Sequence, residues 1–533
     1  MRRPAALLAA ALALPLPALA EVHALVIGID AYERIPELEG AVNDAIDIAD
    51  ALETAHGADV TLLLDAAATR GRILATWRRK IDGAAPGDTV VVTYAGHGAN
   101  ERAVYPDSED DGMDEALLLA PFHEVGPAAG ARIRDDEIAA LMGQRDDIRV
   151  IFVNDSCHSG TAMRATGFEG RYRFYDSGGI VDDPLPPPPP PPADSASVGE
   201  VAAVGGYYFG AVPDDARVPE IPIEGQIRGA LSYAFAAALR GAADADGDGV
   251  LRKGELERHI RATVRMHTAS RQRPQVHPAA QIDAVLFGDL AAPPPPDPPG
   301  PFSRAWAELP PLPVRFAGGG LSAADFRGAV PAGPGEGHGI VVDLDRGEIR
   351  NPLGDRLRSL DDQRSAALRI AVQHTIDTMR AVHAIQDAMA PDRIDVAIPR
   401  GDDFYRDGEE IEVMVEGRSF ANVTVFNLPA DGTVQWLYPR NSGNDTVSGM
   451  DYGDPDTIPP GEALAFTGVI GPPFGGDHVV AIESAVSHGA LRAAFNRHDG
   501  QQALPILWDD LHAILAGEEH AVAAQPYFST DRP

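Results

Sequence analysis

Cysteine is almost absent from this chain: Cys157 is the only one in 533 residues. A single thiol cannot close a disulfide within the chain, so packed cores and any bound ions must stabilise the fold. Long apolar runs are also missing after residue 20. Because a membrane span needs about 18 consecutive apolar residues, we expect no span in the mature chain.

Basic side chains are scarce as well: 44 Lys and Arg residues stand against 79 Asp and Glu, giving a net charge of −35. Such a surface repels nucleic acid and anionic membranes, and it attracts cationic substrates and divalent ions. The charge therefore excludes nucleic acid as a partner and favours peptides or proteins with basic residues. The sequence does not indicate an oligomeric state.

The first twenty residues have the pattern of a signal peptide. Arg2 and Arg3 provide the charged start, residues 5–16 the apolar stretch, and Ala18-Leu19-Ala20 the small-residue cleavage site. We expect cleavage after Ala20 and export, with the mature chain beginning at Glu21 in the periplasm or outside the cell.

Between residues 21 and 290, apolar strands alternate with helical patterns. This alternation predicts an α/β fold with a mostly parallel sheet covered by helices on both faces. The predicted strands are 22–29, 60–64, 90–94, 150–153 and 207–212, and the predicted helices are 42–52, 70–81, 135–142 and 231–239. In such sheets the chemistry collects beyond the carboxyl ends of the strands.

Proline tracts divide the rest of the chain. Seven consecutive prolines at 186–192 lie in a predicted internal linker, residues 161–203, and residues 291–312 are a predicted interdomain linker. The remaining predicted regions are a helical or irregular one at 313–391, with a long helix at 361–389, and a β-rich, sandwich-like domain at 392–533.

Two β-branched runs each lead into a short glycine-containing turn with a reactive side chain. One turn is Ala95-Gly96-His97-Gly98, and the other is Asn154-Asp155-Ser156-Cys157-His158-Ser159-Gly160. A thiol is nucleophilic as thiolate, and a neighbouring imidazole is the usual means of generating one. A buried structural cysteine is the alternative, but it would not predict a matching histidine turn. We therefore expect His97 and Cys157 to form a catalytic pair.

Further motifs occur in order around these turns. They are His23-Ala24-Leu25-Val26-Ile27-Gly28-Ile29-Asp30-Ala31-Tyr32, Leu38-Glu39-Gly40-Ala41-Val42-Asn43-Asp44-Ala45, Gly254-Glu255-Leu256 and Gln272-Arg273-Pro274. Together with the two turns they resemble the caspase-like cysteine peptidases, particularly metacaspases and their bacterial relatives. The Gln-Ala-Cys signature of animal caspases is absent. The last domain resembles a β-rich module of unknown function often appended to bacterial caspase-like peptidases.

The resemblance implies a cysteine-type endopeptidase, a hydrolase whose chemistry needs no cofactor. Cys157 would attack the peptide carbonyl to form a thioester, while His97 would protonate the leaving amine and then activate water. The backbone N–H groups of Gly98 and Cys157 would hold the oxyanion. No third residue is needed to orient the imidazole in this family. His158 is a competing base, but it directly follows the nucleophile and should point away from it.

The resemblance also implies a primary pocket that selects Arg or Lys before the cleaved bond, with Asp44 and Asp155 lining it. Such a pocket discriminates strongly, because an uncharged side chain would leave a buried carboxylate unpaired. As an alternative, Asp44 is simply an acidic residue favoured near a helix N-terminus. The family often has Ser where this chain has Ala95, which removes one possible hydrogen bond in the pocket.

Calcium has two candidate sites. Residues 244–255 match an EF-hand loop, with ligands predicted from Asp244, Asp246, Asp248, Val250 and Glu255. The second candidate, implied by the resemblance, is Asp135 and Asp136 with the acidic stretch at 107–115, where an activating ion would bind. Arg164 stands where the family has a further ligand, which argues against a full site there. The alternatives are a plain helix–turn–helix and a solvated acidic loop.

The internal linker lies where caspases are cut between their subunits. Arg171 and Arg173 fit the predicted specificity, so we expect self-cleavage after one of them, with an uncut loop as the alternative. Two non-catalytic functions also stay open: a calcium-dependent envelope scaffold on a caspase-like fold, and adhesion through the β-rich domain. The intact His and Cys turns favour the enzyme.

Overall fold

A computed structural model describes most of the chain beyond the first nineteen residues. The described ranges are 20–105, 112–157, 170–177, 183–190, 206–211, 218–223, 225–244, 247–268, 271–288, 300–333, 339–360, 365–389, 393–398, 404–417, 422–438, 463–486 and 488–530. Within them, no helix combines the length and the apolar character needed to cross a membrane.

The described residues of the first half of the chain form a six-stranded sheet, a three-stranded sheet and two two-stranded sheets. Its strands are β1 (Val22–Gly28), β2 (Asp59–Leu64), β3 (Thr89–Ala95), β4 (Gly98–Arg102), β5 (Met113–Leu118), β6 (Arg132–Arg134), β7 (Arg149–Asp155), β8 (Tyr207–Gly210), β9 (Ile221–Ile223), β10 (Gln226–Arg228), β11 (Leu251–Arg252), β12 (Gln275–His277) and β13 (Val285–Phe287). Its helices are α1 (Ala41–His56), α2 (Arg70–Gly83), α3 (Asp135–Met142), α4 (Ala230–Ala237) and α5 (Lys253–His267).

The six strands lie in the order β12-β8-β7-β3-β1-β2, all parallel except β12. Alternate residues of β1 face opposite cores: Ala24 and Val26 pack with the α1 and α4 side, and Leu25 and Ile27 with the α2 and α3 side. A strand buried on both faces needs a continuous apolar run, which is the pattern found here. The α/β prediction is confirmed.

Strands β4, β5 and β6 form a separate antiparallel sheet that the sequence did not indicate. Charged residues interrupt β4 and β6, and the apolar part of β5 begins only after Asp114 and Glu115, so the pattern typical of a strand is weak. Glu101 on β4 is buried between Arg132 and Arg134 on β6, with 2.7 Å between a Glu101 carboxylate oxygen and Arg132 Nε. Ion pairs therefore hold this sheet together alongside the burial of apolar residues such as Leu117, Leu118 and Ile133.

In the second half of the chain, the described residues form three more sheets and three α-helices. The strands are β14 (Leu312–Ala317), β15 (Ala329–Pro331), β16 (Ile340–Asp343), β17 (Glu348–Arg350), β18 (Arg356–Ser359), β19 (Ile394–Ala397), β20 (Phe404–Arg406), β21 (Glu410–Gly417), β22 (Asn422–Pro429), β23 (Gln435–Tyr438), β24 (Ala463–Val469), β25 (Gly476–Ser484) and β26 (His520–Thr530). The helices are α6 (Ser365–Gln386), α7 (His488–His498) and α8 (Leu504–Leu515).

The prediction of a helical or irregular region at 313–391 is wrong in its first half, where β14–β18 form a five-stranded sheet. These strands have three to six residues, and polar side chains alternate with the few buried ones, as in Glu348–Arg350. Their apolar signal is therefore too weak to predict strands. The long helix is present as α6.

The β-rich region has a three-stranded sheet, β19-β21-β24, and a five-stranded one, β20-β26-β25-β22-β23. The two share one core, in which Val396 and Val413 of the first sheet join Val425 and Val479 of the second. The sandwich-like prediction is confirmed in outline. Helices α7 and α8, which were not predicted, contribute Phe495 and Trp508 to the core on the other side of β22.

The buried charges of the small sheet give a stability prediction. Glu101→Gln should destabilise the protein by about 3 kcal/mol, because two buried guanidinium groups lose a shared carboxylate. Denaturant unfolding, measured in a Cys157→Ala chain, tests this. The exposed Glu53→Gln on α1 is the matched control and should leave the transition unchanged. Equal transitions in the two variants would contradict the paired-charge account.

Candidate active site

The histidine and cysteine turns lie next to each other at one edge of the main sheet. Strands β3 and β7 run parallel, and their last paired residues are Ala95 and Asp155. His97 and Cys157 each follow two positions later, so both leave the sheet at the same level. Both are buried, with 2% and 0% of their surface exposed.

The His97 ring is held in one orientation by backbone and aromatic contacts. Its Nε2 lies 2.8 Å from the carbonyl oxygen of Pro36, and its ring centroid lies 4.8 Å from that of Tyr32. If Nε2–H donates to Pro36, then Nδ1 carries the lone pair. Nδ1 is buried and has no hydrogen-bond partner among the described residues. The chain thus has an orienting group that the sequence did not reveal, because it is a backbone carbonyl.

Burial lowers the pKa of His97 to about 4, and the positive charges of Arg173 and Arg171 act in the same direction. The imidazole is therefore neutral at physiological pH. A neutral imidazole with an unused nitrogen can accept a proton, which general base catalysis requires.

The two backbone N–H groups predicted to hold an oxyanion converge on one carbonyl oxygen. Gly98 N lies 2.9 Å and Cys157 N 3.2 Å from the carbonyl oxygen of Arg173. A Cβ on Gly98 would come within 2.2 Å of the Cys157 carbonyl oxygen, so glycine is required there. The thiol accepts a hydrogen bond from a different segment, because Val218 N donates to Cys157 Sγ over 3.2 Å.

The chain around Arg173 crosses this site as an added extended strand. Upstream, Arg173 N donates to Val218 O over 2.9 Å, and Glu220 N donates to Arg171 O over 2.8 Å. Downstream, Tyr175 N donates to Gly98 O over 2.9 Å. Main-chain pairing of this kind is how extended peptides commonly bind to a sheet edge.

The Arg173 side chain is fully buried among three carboxylates, with 0% of its surface exposed. It contacts Asp44, lies 3.0 Å from a carboxylate oxygen of Asp155, and lies 3.2 Å from one of Glu220. Burial alone would lower the pKa of Arg173, but Asp155, Asp44 and Glu220 raise it well above its ordinary value. The two aspartates predicted to line a pocket for basic side chains thus contact an arginine of this chain.

Glu220 is the pocket residue that sequence reasoning missed. Its carboxylate accepts hydrogen bonds from the backbone N–H groups of Glu39 and Gly40, both over 2.9 Å. It follows the segment that pairs with the chain upstream of Arg173, and precedes a strand of three residues. No periodicity or motif marked it, because only the folded pairing brings it to Asp44.

Burial raises the pKa of Asp44 to about 7, although Arg173 acts against this shift. Gly229 N supports the carboxylate with a 2.9 Å hydrogen bond. A Cβ on Gly229 would come within 2.2 Å of an Asp155 carboxylate oxygen, so the pocket has no room for a side chain there. The pocket is buried, narrow and strongly negative, and only a cation compensates its charge.

Comparison with known protein families supports the resemblance that the sequence motifs indicated. The model of the metacaspase, peptidase C14 domain matches residues 23–166. Residues 23–166 form a metacaspase-type peptidase C14 domain. The predicted resemblance is confirmed, and the β-rich module is a domain of unknown function (DUF4384), matched over residues 404–486.

Among similar proteins, metacaspase-1A of Neurospora crassa is 29% identical over 36% of this chain and 40% of the relative. Metacaspase-1 of Pyricularia oryzae is 28% identical over 41% of this chain and 63% of the relative. The chain therefore spans less than two thirds of the length of these relatives.

Two solved structures are also similar to about half of this chain. Caspase-1 of Spodoptera frugiperda is 11% identical, covering 51% of this chain and 90% of that one, with a TM-score of 0.31. A protein of Geobacter sulfurreducens is 22% identical, covering 50% of this chain and 99% of that one, with a TM-score of 0.37.

The two arginines considered as self-cleavage positions follow the matched residues and have different surroundings. Arg173 is enclosed in the carboxylate pocket. Arg171 is 40% exposed and lies 3.0 Å from a carboxylate oxygen of Glu39 on the surface. The competing base His158 and the cation Arg164 lie outside the described residues.

One acidic group in the described part of the metacaspase domain could hold a metal ion. Ligand oxygens of Asp114, Asp135 and Asp136 lie within 4.8 Å of one another, and all three residues are buried. Asp114 Oδ1 has no hydrogen-bond partner among the described residues, and burial raises the pKa of Asp114 to about 6. Asp114 belongs to the predicted acidic stretch, of which residues 106–111 lie outside the description. Three buried carboxylates suit a hard cation such as Ca²⁺.

The EF-hand-like loop is arranged differently. The Asp244 carboxylate accepts hydrogen bonds from Gly247 N over 3.0 Å and Gly249 N over 2.9 Å. The other two described acids contact Arg252. Asp248 forms a 2.6 Å ion pair with its side chain, and Glu255 accepts a hydrogen bond from its backbone N–H. Val250 N donates to Asp248, and Asp246 lies outside the described residues. The described acids thus bind the loop itself, and ion binding here stays a prediction.

The pocket gives a prediction of pH-dependent stability. Arg173→Met should destabilise the protein by about 3–5 kcal/mol, because it leaves three buried carboxylates without a cation. A carboxyl with a raised folded pKa binds a proton in the folded state that it loses on unfolding, so stability falls as pH rises from about 4 through that pKa. The loss should therefore be larger at pH 8 than at pH 5.

Denaturant unfolding at both pH values, in a Cys157→Ala chain that cannot cut itself, measures this effect. The matched control is Arg171→Met on the exposed neighbour, which should cost little at either pH. A loss in Arg173→Met that does not depend on pH would contradict the carboxylate account.

Proposed function

We propose that this chain is a cysteine endopeptidase that hydrolyses the peptide bond after arginine, using His97 and Cys157. One observation carries the proposal: the Arg173 carbonyl oxygen meets two N–H donors beside Cys157 while its guanidinium is enclosed by carboxylates. The family supports the reaction class, since members of the metacaspase C14 family are cysteine peptidases.

The reaction starts with the thiol. Cys157 gives its proton to His97 Nδ1, and Sγ attacks the carbonyl carbon, so that a carbon–sulfur bond forms and the carbonyl electrons move to oxygen. Gly98 N–H and Cys157 N–H stabilise this oxyanion, and one such donor is typically worth about 3 kcal/mol. The carbon–nitrogen bond then breaks as His97 protonates the leaving amine, which leaves a thioester.

Water completes the cycle. His97 Nδ1 takes a proton from water, and the resulting hydroxide oxygen attacks the thioester carbon. The carbon–sulfur bond breaks, sulfur recovers the proton from His97, and the new carboxylic acid ionises in solution. The Pro36 carbonyl oxygen keeps the imidazole aligned through both steps, because it fixes Nε2 as the donor.

The pocket favours arginine over lysine. Asp155 approaches one terminal guanidinium nitrogen, Asp44 and Glu220 approach the other, and only a planar fork offers donors on both sides at once. A lysine supplies the charge but fewer aligned donors. An uncharged side chain would leave the carboxylates desolvated and unpaired, so glutamine or methionine at this position should be rejected.

The same contacts favour self-cleavage between Arg173 and Phe174 rather than after Arg171. The uncut linker also blocks the pocket, so another peptide can enter only after Arg173 has left. The proposed enzyme is therefore latent until this bond is cut or the linker is displaced. The signal-peptide pattern of residues 1–20 leads us to propose that this happens in the periplasm or outside the cell.

Intact mass spectrometry tests self-cleavage. The wild-type chain should give two fragments that meet between Arg173 and Phe174, and Cys157→Ala should stay whole. Arg173→Lys keeps the charge and should be cut roughly tenfold more slowly, because the fork is lost. Arg171→Lys is the matched control and should be cut at the wild-type rate. Identical masses for the wild type and Cys157→Ala would contradict self-cleavage.

Peptide hydrolysis tests the pocket itself. The self-cleaved enzyme should cut a peptide after Arg, more slowly after Lys, and not after Gln. Asp155→Ala should abolish cleavage after Arg while Cys157 still reacts with an alkylating reagent. Unchanged cleavage after Arg in this variant would refute the pocket assignment.

We also propose that Asp114, Asp135 and Asp136 hold a calcium ion that regulates the site. A divalent cation would offset the repulsion among three buried carboxylates. The connection to His97 is short: Asp114 is the second residue of β5, whose Leu118 N donates to His97 O over 2.9 Å and whose Leu117 pairs with Gly98. Ordering β5 would thus order the turn that carries the base.

Isothermal calorimetry with the uncut Cys157→Ala chain tests calcium binding. Asp135→Asn should remove the heat of binding, because the ion loses a charged ligand, whereas Asp244→Asn should retain it. The reverse outcome would assign the ion to the EF-hand-like loop. Binding unaffected by either change would contradict both sites.

A further inference from the structure

The chain stays ordered against the site beyond the bond proposed to be cut. Phe174 forms a bridge with Gly98, and Tyr175 N donates to Gly98 O over 2.9 Å. Tyr175 is therefore the second residue on the leaving-group side. The same glycine contacts both sides of the bond, since Gly98 N binds the Arg173 carbonyl oxygen. The position of Tyr175 is thus fixed relative to the reacting atoms.

The Tyr175 side chain occupies a defined niche. Its ring lies edge-on to Phe122, with 6.3 Å between the ring centroids, and 6.5 Å from the His97 ring. Its hydroxyl hydrogen-bonds to the Glu124 carboxylate. Burial raises the pKa of Tyr175 to about 12, and Glu124 adds to the shift, so the phenol is the donor.

The walls of this niche belong to the metacaspase domain and not to the linker. Phe122 is fully buried, and its N–H donates to Leu119 O over 2.9 Å. Glu124 follows in the same turn, with 20% of its side chain exposed. Although partial burial acts to raise the pKa of Glu124, the hydrogen bond from Tyr175 lowers it, so the acceptor is a carboxylate.

We propose that Phe122 and Glu124 form a subsite that selects tyrosine at the second position after the cleaved bond. The inference rests on the proposed peptidase function and names a second determinant of its substrates. Phenylalanine would keep the aromatic contacts and lose the hydrogen bond, serine would lose both, and glutamate would be repelled by Glu124. Preferred substrates therefore combine an arginine before the bond with a tyrosine two residues after it.

Quenched fluorescent peptides test the subsite. Peptides sharing Arg-Tyr-Arg-Phe would differ only in the next residue, which would be Tyr, Phe, Ser or Glu. With self-cleaved wild-type enzyme, kcat/KM should be about fivefold higher for Tyr than for Phe, the size expected for one partly exposed hydrogen bond to a charged group. Ser and Glu should follow Phe in that order.

The variant Glu124→Ala links the preference to the proposed acceptor. It should bring the Tyr to Phe ratio close to one while keeping the preference of both over Ser, which a general loss of folding would not produce. The matched control is Asp146→Ala, an exposed acid before the opposite end of β7, and it should keep the wild-type ratio.

Three results would overturn the proposal. Equal rates for all four peptides would refute the subsite while leaving the peptidase function intact. An unchanged Tyr to Phe ratio in Glu124→Ala would remove Glu124 from the assignment. Cleavage of none of the peptides, by an enzyme whose Cys157 still reacts with an alkylating reagent, would refute the peptidase function and the subsite together.

Discussion

The buried charge cluster around Arg173 is the interaction on which the rest of the site depends. It joins three separate parts of the chain: Asp44 on α1, Asp155 at the end of β7, and Glu220 before β9. Since the guanidinium is fixed in this cluster, the Arg173 carbonyl is fixed as well. The carbonyl oxygen then accepts hydrogen bonds from the N–H groups of Gly98 and Cys157. Charge pairing in the pocket and hydrogen bonding at the carbonyl therefore determine one position together.

The cluster also has a physical consequence for function. Three carboxylates in a buried pocket are costly without a cation, because desolvation penalises each charge and the charges repel one another. An arginine of the same chain is present at high effective concentration and satisfies the pocket first. A substrate arginine must therefore compete with Arg173 for the pocket. It can enter only when the linker is cut or displaced. The same electrostatics that would give specificity would also give latency.

The sequence predicted those parts of the structure that the pattern of residues itself marks, and it missed those that arise only when the chain folds. Strands β1, β3 and β7 were predictable because burial on both faces demands continuous apolar runs. The turns with His97 and Cys157 followed because they come directly after such runs. Glu220 and the Pro36 carbonyl were not predictable: the first joins the pocket only through strand pairing, and the second is a backbone atom. The β4–β6 sheet was missed because charged residues, among them Glu101 and its ion-pair partners, interrupt the apolar pattern that indicates a strand.

The linker is attached at a second place, and this changes what cleavage can release. Asp183 lies 2.9 Å from Arg132 and also contacts Arg134, while Arg134 donates to Pro186 O over 3.2 Å and Tyr105 to Pro188 O over 3.0 Å. These contacts of Asp183, Pro186 and Pro188 all lie downstream of the bond after Arg173. Cutting that bond would free the arginine side, whose pocket charges then need a new cation. The downstream side would stay bound to buried Arg132 and Arg134, because its departure would leave them short of an anion. Cleavage would thus open the carboxylate pocket without dissociating the rest of the linker, and the tyrosine niche would be emptied by a local movement of residues 174–177 alone.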